Sequence, residues 1–128
     1  MMIGKKRILV VDDDQDIVEL ISMMLEHSGY DINTAVSGDE CLEKLEQEKP
    51  DLIILDVMLE TITKGFNVGY EIKNNPKYMS IPIILVSAID KHSGFPIDTD
   101  FIKADKFLEK PIEPDELLDS IGELLKEV

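Results

Sequence analysis

The sequence predicts an α/β domain in which a parallel β-sheet carries helices on both faces. Three observations predict it: short, continuously apolar runs rich in β-branched residues, segments with apolar residues at helical spacing that alternate with those runs, and short connections between the two. At 128 residues the chain has room for one domain and for no second one.

The first strand is Arg7 to Val11, "RILVV", apolar at every position after the arginine, as suits a strand covered on both faces. It stops at Asp12, Asp13 and Asp14. Ile17, Leu20, Ile21, Met24 and Leu25 then recur at helical spacing, with Asp14 as N-cap, Asp16 in the first turn and Gly29 at the end. Tyr30 to Val36 alternates as the second strand; Ser37 opens a helix that turns Cys41, Leu42 and Leu45 inward, and Pro50 closes it. Leu52 to Leu55 is the third strand. Phe66, Val68 and Ile72 mark a third helix, weakened by Gly69 and ended by Asn74, Asn75 and Pro76. Ile81 to Val86 is the fourth strand, followed at once by Ser87 and Ala88. From Ala88 to Lys106 the pattern is interrupted by Gly94 and Pro96, so the fourth helix is expected to be short, near Asp98 to Lys103, or irregular. Phe107 and Leu108 form a short fifth strand, Pro114 suits a first helical turn, and Leu117, Leu118, Ile121, Leu124 and Leu125 stripe the last helix.

Acidic residues number 27 against 13 basic ones, a formal charge of -14 that disfavours direct contact with nucleic acid or an anionic membrane. No apolar run approaches the roughly 20 residues needed to span a bilayer, and the N-terminal "MMIGKKRILVV" ends at Asp12 without a cleavage site. A single cysteine, Cys41, excludes an internal disulfide and points to a reducing, cytoplasmic compartment. His27 and His92 have no paired metal-ligand spacing.

In an open parallel sheet, ligands gather beyond the carboxyl ends of the strands. The residues that end strands one, three, four and five are Asp12 and Asp13, Asp56, Ser87 and Lys110. Three carboxylates in one crevice repel one another unless a cation joins them. A hard divalent ion, Mg²⁺ or Mn²⁺, suits a pair of carboxylates, a backbone carbonyl and solvent, and Lys110 neutralises part of the remaining charge or meets an anion. Metal and ammonium would stabilise charge on a transferred phosphoryl group while a carboxylate attacks it. Asp56 is the best nucleophile, since it stands alone at a central strand end.

The runs "ILVVDDDQDI", "PDLIILDVML", "IPIILVSA" and "ADKFLEKPI", in this order and spacing, resemble the receiver domain of two-component response regulators over nearly the whole chain. The resemblance implies a flavodoxin-like, doubly wound five-stranded sheet of order 2-1-3-4-5. It implies that Asp56 accepts phosphate from a histidine kinase or phosphotransfer protein. Asp13, Asp56 and the Met58 carbonyl would bind Mg²⁺ directly, and Asp12 through water. It further implies that Ser87 and Lys110 contact the phosphoryl group, that Phe107 is a switch aromatic turning inward as the Ser87 hydroxyl moves, and that the Lys110–Pro111 bond is cis. The expected product is a stand-alone receiver spanning residues 1–128 with no output domain and no turnover of an external substrate. It would act through a downstream protein target or a phosphorylation-dependent homodimer.

The chain departs from the family pattern in one loop. Glu60 stands where a proline is usual, and the following glycine, Gly65, comes one residue late, so the loop is expected to tune metal affinity or donor access. Met58 and Ile89, two residues beyond Asp56 and Ser87, are both apolar, from which a slowly hydrolysing phosphoform is expected. The alternative is a receiver-like domain that signals by protein binding without phosphorylation. A phosphohydrolase would want an acid at Met58, and a flavin-binding fold would not place three aspartates after strand one.

Overall fold

A computed structural model describes residues 5–56, 62–87 and 104–125, excepting the side chains of 62–66. The elements in chain order are β1 (Arg7–Val11), α1 (Gln15–His27), β2 (Asp31–Ala35), α2 (Gly38–Gln47), β3 (Leu52–Asp56), α3 (Ile62–Lys73), β4 (Ile83–Ser87), β5 (Lys106–Glu109) and α4 (Pro114–Leu125). All strand pairs are parallel, and the five-stranded sheet has the order β2-β1-β3-β4-β5.

The uniformly apolar strands split their side chains between two layers, because successive residues of a strand point to opposite faces. Leu9, Val11, Ile53, Leu55, Ile83 and Leu85 pack with Cys41 and Leu45 of α2 and with Val68 and Ile72 of α3. Ile8, Val10, Leu52, Ile54, Ile84 and Val86 pack on the other side with Ile21 and Leu25 of α1 and with Leu117 and Ile121 of α4.

Local chemistry sets the helix ends. The Asp14 side chain accepts from the Asp16 amide at 3.0 Å, and Ser37 accepts from the Glu40 amide at 3.1 Å, each satisfying an amide the first turn leaves free. Beyond α1 the backbone turns through Gly29 at φ 96°, a conformation side chains resist. Pro114 occupies the first position of α4, where its missing amide costs nothing.

Several expectations change, among them the bounds of β2, β3 and β5, each shifted by a residue at one or both ends. Leu20 does not join the core: it is 59% exposed, and Val18 and Ser22 take the inward positions instead. The rest of the expected stripe, Ile17, Ile21, Met24 and Leu25, packs on the sheet as expected. Strand four begins at Ile83 rather than Ile81, because Pro82 has no amide and enters the ladder only through its carbonyl, accepting from Ile53 N–H at 3.0 Å. It also runs on through Ser87. Glu60, Ile89, His92 and the connection 88–103 lie outside the described residues.

Candidate functional site

The sheet register brings four chain segments to one edge. Val11 pairs with Leu55 and Asp56 with Val86, so Asp12, the next residue after β1, arrives level with Asp56. Ser87 pairs with Glu109, which leaves Lys110 one residue beyond the end of β5. The Lys110 amide donates to the Ser87 carbonyl at 2.8 Å, and the Asp12 amide to the Ala35 carbonyl at 3.1 Å. These bonds extend the ladder by one rung past the strands and fix the directions of both side chains. The Lys110–Pro111 peptide bond is cis.

Asp12 and Asp56 are 3% and 4% exposed, whereas Asp13 is exposed. The Lys110 ammonium lies between the two buried carboxylates, 2.9 Å from Asp12 Oδ2 and 3.0 Å from Asp56 Oδ2. Asp12 Oδ1 accepts from the Asp14 amide at 2.9 Å. Burial holds the Asp12 carboxyl above its ordinary value; the Asp14 amide and the Lys110 bond oppose this, and the charge of Asp56 adds to it. For Lys110 burial works downward, but its bonds to Asp12 and Asp56 and their negative charge outweigh it, and the ammonium ends up harder to deprotonate. The cation is therefore secure at neutral pH, while burial works against the charge on Asp12.

Carboxylate oxygens of Asp12, Asp13 and Asp56 lie within 4.8 Å of one another. Three carboxylates and one ammonium carry a formal charge of −2, the charge a divalent cation would balance. Hard oxygen donors gathered at that separation, two of them in a protein wall and one facing solvent, fit Mg²⁺ or Mn²⁺ with retained waters. Met58, whose carbonyl was expected to complete this set, lies outside the described residues.

The remaining expected residues are placed as follows. Ser87 is fully buried at the end of β4, next to the Lys110 amide. Phe107 is half-buried on the α2 and α3 layer, on the opposite face of β5 from Leu108. Cys41 is buried in the same layer, and burial pushes its thiol up to about 12. His27 is exposed at the end of α1. Two features escape sequence reading. The Asp14 amide braces Asp12, a turn that the run Asp12-Asp13-Asp14 could have suggested, since aspartate commonly bonds the amide two residues on. The ion pair of the largely buried Lys73 side chain with the exposed Asp105 joins residues 32 apart with no spacing signal.

Residues 8–122 match the response regulator receiver domain family. Among curated proteins the chain is 39% identical over 121 residues to the alkaline phosphatase synthesis transcriptional regulatory protein PhoP of Bacillus subtilis. It is 36% identical over 124 residues to the DNA-binding dual master transcriptional regulator RpaA of Synechocystis. Both alignments cover 94% of this chain and 49% of the relative, so the chain spans about half the length of these curated relatives. Among solved structures, a CheY-like response regulator receiver domain protein from Methanospirillum hungatei superposes with a TM-score of 0.83 at 29% identity. That alignment covers 97% of this chain and 96% of the other.

Proposed function

The chain belongs to the response regulator receiver domain family, and from that premise we propose that it is a phosphoacceptor whose nucleophile is Asp56. The observation that carries the proposal is the Lys110 ammonium held 3.0 Å from Asp56 Oδ2 beside two further carboxylates. An oxygen of Asp56 attacks the phosphorus of a histidine kinase's or phosphotransfer protein's phosphohistidine. The P–N bond breaks, its electron pair returns to the imidazole nitrogen, and an acyl phosphate remains on Asp56. Lys110 turns from a bond with the carboxylate to one with the arriving phosphoryl oxygens, and the Ser87 hydroxyl takes another of those oxygens. Asp13, Asp56 and the Met58 carbonyl would hold Mg²⁺ or Mn²⁺ directly and Asp12 would hold it through water, and the ion would supply neutralisation of charge on the transferred group.

Phosphorylation changes a protein-binding surface rather than turning over an external substrate, with Ser87 and Phe107 as the switch pair. The consequence is contact with a downstream protein or a second copy of the chain, in the cytoplasm and without direct contact with nucleic acid. Among the described residues no helix is long and apolar enough to cross a membrane.

The test is intact mass after incubation with Mg²⁺ and acetyl phosphate, beside Asp56→Asn and a chelator control. One added phosphoryl group, lost in both controls, is expected. Persistent absence of the adduct, also with a phosphorylated kinase and without measurable Mg²⁺ binding, would replace this reading with a receiver-like module that signals by binding alone.

A further inference from the structure

Far from the carboxylates, at the opposite end of the sheet, Asp105 closes a two-point clasp on the first residue of β4. Its amide donates to the Ile83 carbonyl at 3.0 Å, and its Oδ2 accepts from the Ile83 amide at 2.9 Å. The same oxygen accepts from Lys73 Nζ at 3.1 Å. That ammonium also donates to the Ile81 carbonyl at 2.7 Å and to the Met79 carbonyl at 3.4 Å, and its side chain is only 9% exposed. One buried cation thus ties the end of α3, the approach to β4 and the residue that leads into β5.

The strand that Asp105 introduces is poorly secured by its own sequence. β5 has four residues and lies at the edge of the sheet with β4 as its one strand neighbour. Register in so short a strand rests on few side chains, here Phe107 and Leu108. A slip of one residue would carry Lys110 about 3.3 Å along the strand, enough to break its contacts of 2.9 and 3.0 Å with Asp12 and Asp56.

We infer that Lys73 is a positioning residue, acting through Asp105 to hold the register of β5 on β4 and so to keep Lys110 beside Asp12 and Asp56. The inference rests on the proposed phosphoacceptor role for its kinetic consequence, and on geometry alone for its structural one. Lys73 touches none of the reacting groups. Its effect is transmitted along one strand, from Asp105 at the entry to Lys110 at the exit.

The experiment compares the full chain with Lys73→Met, Asp105→Asn, Lys73→Arg and Ile8→Val, the last a cavity in the other core layer that weakens folding without touching the clasp. Two readouts are taken: amide hydrogen exchange at Asp105, Lys110 and, as internal reference, Leu55; and the maximal rate of phosphorylation by acetyl phosphate per folded molecule. Lys73→Met and Asp105→Asn are expected to speed exchange at Asp105 and Lys110 relative to Leu55. They should also lower the maximal rate by about tenfold to a hundredfold, since a misplacement near 1 Å can cost about a hundredfold. Lys73→Arg restores both, and Ile8→Val leaves the rate unchanged. Unaltered exchange at Lys110 overturns the inference, as does faster exchange with an unaltered rate, or an equal loss of rate in Ile8→Val. Should the parent chain take up no phosphoryl group, the function proposal fails by itself. The exchange of Lys110 then decides the clasp: lost protection supports it and retained protection overturns it.

Discussion

Replacing Lys110 by methionine removes the ammonium while keeping most of the apolar stem. The ammonium sits 2.9 Å from Asp12 and 3.0 Å from Asp56, whose side chains are each 5% exposed. Deleting one partner of a buried ion pair costs about 3–5 kcal/mol, because the orphaned charge stays buried. Two features pull this case to the lower end. The Lys110 side chain is itself 20% exposed, and the Asp12 carboxyl, already raised by burial, can take up a proton and shed its charge. The loss in chelator is therefore set at about 3 kcal/mol, a large share of a typical total of about 5–15 kcal/mol. Removing the cation also leaves the site one unit more negative, so the variant binds Mg²⁺ more tightly than the parent. An ion present at about 100 times its Kd stabilises the folded state by about 2.7 kcal/mol, and the tighter-binding variant gains more than the parent at the same concentration. Urea unfolding with and without Mg²⁺, together with calorimetric titration of the ion, measures both halves. The gap is expected to shrink when Mg²⁺ is added. In chelator it should widen as pH rises above the ordinary carboxylate range, because a carboxyl whose pKa burial has raised costs stability only once it must ionise. A gap indifferent to Mg²⁺, or an affinity for Mg²⁺ that falls, would refute the idea that ammonium and metal answer the same negative charge.

Asp14→Ala is expected to cost about 1 kcal/mol in urea unfolding through loss of the N-cap of α1, with Mg²⁺ affinity little changed because the Asp14 contact to Asp12 is made by the backbone; a large loss of affinity would speak against that division. The Cys41 thiol, pushed up to about 12 by burial, should resist a thiol reagent at about pH 8 until urea unfolds the chain. Since an unfolded thiol ionises near pH 8.5, Cys41 contributes stability that is complete below that pH and is lost as pH rises toward the folded value, an alkaline loss that Cys41→Ala removes. In the phosphorylated chain, Met58→Ala should shorten the lifetime of the phosphoform more than a substitution at a distant exposed residue such as Glu26. Equal lifetimes would discard the slow hydrolysis expected from the apolar Met58.

Much of this architecture is legible in the chain because the relevant forces are local. The continuous apolar runs declare strands covered on both faces, and Asp14 and Ser37 announce helix starts by the hydrogen bonds their side chains can make within a turn. The cluster at the strand ends follows from the same pattern, since a charge directly after a buried strand has one place to go in a parallel sheet. Leu20 shows where this reasoning stops. It is as apolar as its neighbours, yet the orientation of α1 on the sheet leaves it in solvent and buries Ser22.

By itself the sequence determined the alternation of strands and helices, the helix caps, and the set Asp12, Asp13, Asp56, Ser87 and Lys110 as residues that end strands. Tertiary structure alone decided which apolar side chain faces which layer, since runs such as Leu52 to Leu55 are hydrophobic at every position and their period carries no direction. It also decided that Lys110 meets Asp12 across 98 residues and Lys73 meets Asp105 across 32. No local propensity encodes either pair. The first is settled by strand register, which depends on the packing of both faces at once, and the second by where the end of α3 lies against the entry to β4 and β5.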